Sequence, residues 1–145
     1  VLGAQYDAVI DCTDQVSAKV AMGLHCHAMR IRLFMAGAAG GRTDPTRIRC
    51  ADLAAAQGDA LLARVRQLLR KSGQMNLPDK ASFGIDVVFS PESMRRPEAQ
   101  NCDTGSAPHG LNCAGYGSSV CVTGGFGFAL AAATIDHLLA HRTAG

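Results

Sequence analysis

The 145-residue sequence has no tryptophan, two tyrosines and five phenylalanines. So few flat rings exclude an aromatic platform for stacking nucleobases. Charge of one sign is also scarce. Fourteen Lys and Arg oppose twelve Asp and Glu, a formal +2, which excludes a histone-like or strongly acidic protein and makes any electrostatic function a local matter. The six cysteines, Cys12, Cys26, Cys50, Cys102, Cys113 and Cys121, include no C-x-x-C pair, so a zinc ribbon is unsupported. They sit in apolar surroundings and read as buried thiols of a reducing compartment. No basic stretch precedes an apolar run at the start, and no signal peptide is expected. The Gly-rich phosphate loops of nucleotide-binding domains are missing too. Gly37–Gly41 is followed by a turn rather than a helix, and Gly124–Gly127 lies inside a helical stretch.

What is present has the balance of one globular domain, 48% hydrophobic and 18% charged. Tyr6–Cys12 reads as a short buried strand. Thr13 and Asp14 offer a helix cap, and Gln15–Met29 follows with Val16, Val20, Leu24 and His27 or Met29 along one side. Ile31–Met35 is a second strand, so strand, helix and strand form a βαβ unit with parallel strands. Thr46–Cys50 reads as another strand. A helix between Asp59 and Gly73 carries Leu61, Leu62, Val65, Leu68 and Leu69 on its apolar side, and Phe83–Ser90 is a further strand. Residues 91–117 are expected to be a mobile functional segment. Ser118–His141 is expected to be a long helix. Its uncharged part, Ser119–Ile135, is short and weakly apolar for a membrane span and is read as a buried core helix. The chain opens on Val and almost at once on a strand, which suggests the later part of a longer protein.

Asp11-Cys12-Thr13-Asp14-Gln15 stands at the carboxyl end of the first strand, where open α/β sheets bind ligands. A carboxylate there suits Mg²⁺ accompanying a nucleotide phosphate; a plain helix cap by Asp14 is the structural alternative. Between Arg30 and Lys71 nine basic residues face only Asp44, Asp52 and Asp59. Arg42, Arg47 and Arg49 cluster around a turn, and Arg64, Arg66, Arg70 and Lys71 lie opposite an apolar helix face. Both groups suit phosphate contacts, although such a helix face is also ordinary solvated surface. His25 and His27 would point about 200° apart on a helix and do not form a metal pair.

The Asp11–Gln15 block, Lys19 and Met35-Ala36-Gly37-Ala38-Ala39-Gly40 resemble the second half of the ubiquitin-activating, ThiF-type adenylating fold. Gly37–Thr46, Val87–Glu92, and Cys113–Gly117 with Phe126-Gly127-Phe128 resemble its tRNA threonylcarbamoyladenosine dehydratase branch. The resemblance implies an α/β fold with a mixed sheet and flanking helices. The chain would be the carboxyl-terminal part of a single adenylating domain whose Gly-rich ATP-binding half precedes Val1, so that it is inactive alone. It implies ATP-dependent closure of threonylcarbamoyladenosine in tRNA to a cyclic hydantoin, in a cytoplasmic homodimer using Mg²⁺. By the same resemblance Asp14 faces ATP and Mg²⁺. Gln15, where the family more often has Asn or Ser, touches the nucleotide. Lys19 supplies phosphate-side charge or a structural pair. RNA contact falls to Arg42, Arg47 and Arg49, and a monovalent cation to carbonyls of Gly37–Gly41. Cys113 matches a subfamily cysteine, with either a thioester or sulfur exchange with a cysteine-desulfurase partner, or an auxiliary role, because an amide nitrogen closes the ring without a thiol. Other readings are an adenylyltransferase for a ubiquitin-like sulfur carrier and a non-catalytic remnant that dimerises or binds RNA.

Overall fold

The computed structural model describes residues 6–78, 81–94 and 117–142. Four strands, β1 (Ala8–Asp11), β2 (Arg32–Ala36), β3 (Arg49–Asp52) and β4 (Ile85–Phe89), form one sheet in the order β1-β2-β4-β3. β1, β2 and β4 are mutually parallel, and β3 runs antiparallel to β4. The expected mixed α/β sheet is therefore present, and the first two strands pair in parallel.

Alternation along the strands divides the core in two. Leu33 and Met35 of β2, with Ile85, Val87 and Phe89 of β4, face α1 (Val16–Met29) and α2 (Ala60–Lys71). Phe34 and Val88 face the other way, onto Val122, Phe126 and Leu130 of α3 (Val120–Arg142). α2 forms as its pattern predicts. The Asp59 carboxylate accepts the Leu62 N–H at 3.0 Å, Leu61, Leu62, Val65 and Leu69 are buried, and Gly73 leaves at φ 66° just beyond the helix. α1 packs closely on it, because Gly23 lacks the Cβ that would stand 3.2 Å from a Leu69 methyl.

Four expectations need correction. The buried stripe of α1 is Lys19, Gly23 and Cys26, with Val16, Val20 and Leu24 only partly covered and His27 and Met29 exposed. The sheet lies under the small and long side chains, not the branched ones. Thr46–Cys50 is not a strand throughout. Asp44 accepts from the Thr46 N–H at 2.9 Å and its hydroxyl at 2.6 Å, and with Pro45 this starts a 3₁₀ turn over Pro45–Arg47 before β3 begins at Arg49. Among the described cysteines Cys26 alone is buried, while Cys12, Cys50 and Cys121 are exposed and unbridged. Finally, α3 is not a buried core helix. By length and composition it is apolar enough to cross a membrane, but among its described side chains only Val122, Phe126, Leu130 and Thr134 are buried, and Val120, Phe128, Ile135 and Leu139 are exposed.

Candidate functional site

The β1–α1 turn is built by Asp11. Its Oδ1 accepts the Thr13 N–H and hydroxyl, both at 2.8 Å, and its Oδ2 lies 3.1 Å from Lys19 Nζ. Lys19 also donates to the Ala36 carbonyl at 2.7 Å and is fully buried. Burial lowers the Lys19 pKa, and Asp11 opposes that shift. This pair welds the end of β1 to the end of β2. The helix cap position is Gln15, whose side chain makes no capping bond. Asp14 stands one residue earlier, exposed.

Beyond β2 the chain runs through Gly37–Gly40. The Gly37 N–H donates to the Val88 carbonyl at 2.8 Å, and the Asp59 carboxylate packs so tightly on Gly37 that any Cβ there would collide with it. Asp59 Oδ2 accepts the Ala38 N–H at 2.8 Å and lies 3.6 Å from Arg42 Nη2. One carboxylate therefore caps α2, holds the glycine turn and pairs with an arginine. Arg42 is 1% exposed. Its Nη2 donates to the Gly58 carbonyl at 3.2 Å and its Nε to the Glu92 carbonyl at 3.3 Å. The Glu92 carboxylate in turn accepts the N–H groups of Thr43 and Asp44, each at 3.0 Å. Burial pulls the Arg42 pKa down, with Asp59 and Glu92 acting against it, and a guanidinium so paired stays charged.

These segments frame a cleft of about 1010 Å³ at the carboxyl ends of β1 and β2. Asp14 and Thr13 stand on one side, the Gly37–Gly40 backbone and the first turn of α2 form the floor, and Thr123, Phe126 and Gly127 of α3 close the far side. Asp14 is the one carboxylate among the described lining residues. A smaller cleft of about 660 Å³ lies at the opposite strand ends. The first has the position of a ligand site in an open α/β sheet. An exposed carboxylate beside hydroxyls suits a hard divalent cation, whereas the described residues offer no Gly-rich helix start to cradle phosphates.

Known proteins resemble the chain over nearly its whole length. The chain is 38% identical over 144 residues to tRNA threonylcarbamoyladenosine dehydratase of Haemophilus influenzae, covering 98% of this chain and 54% of that protein. It is 33% identical over 141 residues to the Escherichia coli protein of the same name, covering 93% of this chain and 53% of that one. The solved E. coli enzyme in complex with AMP superposes with a TM-score of 0.80 at 30% identity, over 97% of this chain and 52% of that one. The chain is similar to tRNA threonylcarbamoyladenosine dehydratases over nearly all of its own length. It spans about half the length of the curated relatives it matches. The E. coli enzyme has also been solved with ATP, at a TM-score of 0.75, 32% identity, and 97% and 51% coverage. No family model matches the chain.

Within this family frame the sequence-predicted residues separate. Asp14 lines the cleft, whereas Gln15 is exposed and does not line it. Lys19 takes the structural pairing described above. Arg47 and Arg49 are exposed near the start of β3, with Arg49 Nη1 donating to the Thr46 and Ile48 carbonyls at 3.1 and 3.0 Å. Arg42, expected beside them on an RNA-facing surface, is instead buried between Asp59 and Glu92 at the lining of the cleft, with its Nη1 unpartnered among the described residues. Cys113 and most of 91–117 lie outside the described residues. Among the described residues no three His, Cys, Asp or Glu gather as a metal cluster. Sequence reading missed Asp11 and Asp59. Asp11 had a signal, the D-x-T turn pattern with a lysine eight residues on; Asp59 was legible as a cap but not as the partner of Ala38 and Arg42.

Proposed function

We propose that this chain is the carboxyl-terminal part of an ATP-dependent tRNA threonylcarbamoyladenosine dehydratase, and that the cleft at the ends of β1 and β2 is its half of the adenylation site. The observation that carries this reading is the meeting of Asp14 and the Gly37–Gly40 backbone in one cleft, in a fold shared with AMP- and ATP-bound relatives. The side-chain carboxylate of threonylcarbamoyladenosine is a poor electrophile. Its oxygen attacks the α-phosphorus of ATP, and pyrophosphate leaves. An amide nitrogen of the same modification then attacks the activated carbonyl carbon and loses its proton. The C–O bond to AMP breaks, closing the hydantoin ring. Asp14 would hold the Mg²⁺ that neutralises the phosphates. The Asp59-anchored Gly37–Ala38 turn fixes the floor on which the reacting groups rest.

Arg47 and Arg49 serve as exposed contacts to tRNA phosphates, and the working enzyme is a cytoplasmic homodimer. Cys113 keeps an auxiliary role, since the ring closes without a thiol. The test is Asp14→Ala in the intact enzyme, measured as AMP released in the presence of threonylcarbamoyl-modified tRNA. The expected loss is on the order of 100-fold or more, with tRNA affinity retained. Turnover within a few-fold of the unmodified enzyme would overturn the assignment.

A further inference from the structure

α1 and α2 pack side by side on one face of the sheet, and neither contains an aspartate or glutamate. Their basic residues are Lys19, Arg64, Arg66, Arg70 and Lys71, with Arg30 at the carboxyl cap of α1. Lys19 is buried on Asp11, and the half-buried Arg66 donates to the Leu53 and Ala56 carbonyls at 3.0 and 2.7 Å. Arg30, Arg64, Arg70 and Lys71 are exposed. Arg64 donates only to the neutral Gln67 at 2.7 Å, and Arg70 lies 5.2 Å above the Phe83 ring. None of these four has an ion pair among the described residues. Three acids of neighbouring elements are engaged elsewhere. Asp59 faces Arg42, Asp86 faces Arg32, and Asp52 accepts backbone N–H groups and a serine hydroxyl.

We propose that the outer face of the α1/α2 layer, with Arg64, Arg70 and Lys71 at its centre and Arg30 at its edge, is a docking surface for the phosphate backbone of the RNA substrate. This rests on the function proposed above. Arg64, Gln67 and Lys71 share one stripe of α2 at i, i+3 and i+7. That helix begins at the cleft, where Ala60 and Leu61 line it. An RNA with its modified base in the cleft can therefore follow α2 away from the site. Ser17 and Ala21 of α1 and Ala63 of α2 are exposed as well. Such small residues let a backbone approach and give no aromatic anchor of the kind a protein partner uses.

The test measures tRNA affinity of the intact enzyme across a salt series, for the unmodified protein, for Arg64→Gln with Lys71→Gln, and for those two combined with Arg70→Gln. The double variant removes only exposed side chains and keeps the fold. The expected result is weaker tRNA binding by at least 10-fold at low salt for the triple variant, and a slope of log affinity against log salt shallower by about 2–3, since each lost phosphate contact lowers it by roughly 0.9. ATP binding should stay unchanged. Affinity and slope equal to the unmodified enzyme in both variants would overturn the docking surface while leaving the function intact. Retained tRNA binding with loss of an acidic protein partner would overturn it as well. An unmodified enzyme that binds no tRNA at all would overturn both readings.

Discussion

On the α1/α2 face of the sheet fourteen residues are buried together, from Cys26 in α1 to Phe89 in β4; on the α3 face five are. The first face is covered by two helices, of which α2 divides sharply between an apolar and a basic side. The second is covered by one helix that is apolar nearly all round and meets the sheet along a single stripe. The two faces thus draw on different sequence logic. α2 hides its leucines and shows its arginines, so its surface carries charge. α3 hides Val122, Phe126 and Leu130 but still shows Val120, Phe128 at 80% exposure, Ile135 and Leu139. Exposed charge and exposed apolar side chains therefore fall on opposite faces, with the cleft at the sheet end between them.

Mutations should sort by face. The largest effect belongs to Asp59→Ala, which removes the α2 cap, frees the Ala38 N–H and leaves Arg42 buried without its carboxylate. It should cost about 3–5 kcal/mol in urea unfolding. Leu69→Ala, in the same face where α2 meets Gly23, should cost about 2–5 kcal/mol. A smaller, pH-dependent effect is expected at Asp52. Burial pushes its carboxyl up, but bonds from Ser82, Ala54, Phe83 and Gly84 together outweigh this and hold it below the usual carboxylate range. A pKa lowered by folding contributes stability that is full above the unfolded value near 3.9 and is lost as pH falls through the folded value. Thermal unfolding of the unmodified protein should therefore weaken below about pH 4. Asp52→Asn should show a flatter profile there and a loss of about 1 kcal/mol at neutral pH. The smallest effect is expected for Phe128→Ser, within about 0.5 kcal/mol. A cost above 1 kcal/mol would break the contrast, because it would mean that the outer face of α3 is covered in solution.

Much of this was legible in the chain. The βαβ start, the amphipathic α2 with its Asp59 cap and Gly73 stop, and the carboxylate-rich end of β1 rest on short-range patterns. Nearest neighbours in sequence settle them through capping and periodicity. Errors arose where a residue's partner is distant. Arg42 read as a surface cation because its sequence neighbours are glycines and polar residues; its partners Asp59 and Glu92 lie 17 and 50 positions away. The α1 stripe went wrong because a buried lysine and a glycine carry no hydrophobic signal, although Asp11 satisfies the one and Leu69 fills the space left by the other.

The sequence by itself determined the α/β class, the family resemblance and the place of Asp14 just beyond a strand end, since strand, turn and helix signals are local and a family motif is a string. Only the tertiary structure decided that Arg42 is buried, that α3 keeps a bare apolar face, and that the acid-free sides of α1 and α2 lie together. Those outcomes depend on which distant groups neutralise or cover one another, and burial and charge pairing are properties of the folded packing rather than of any one segment.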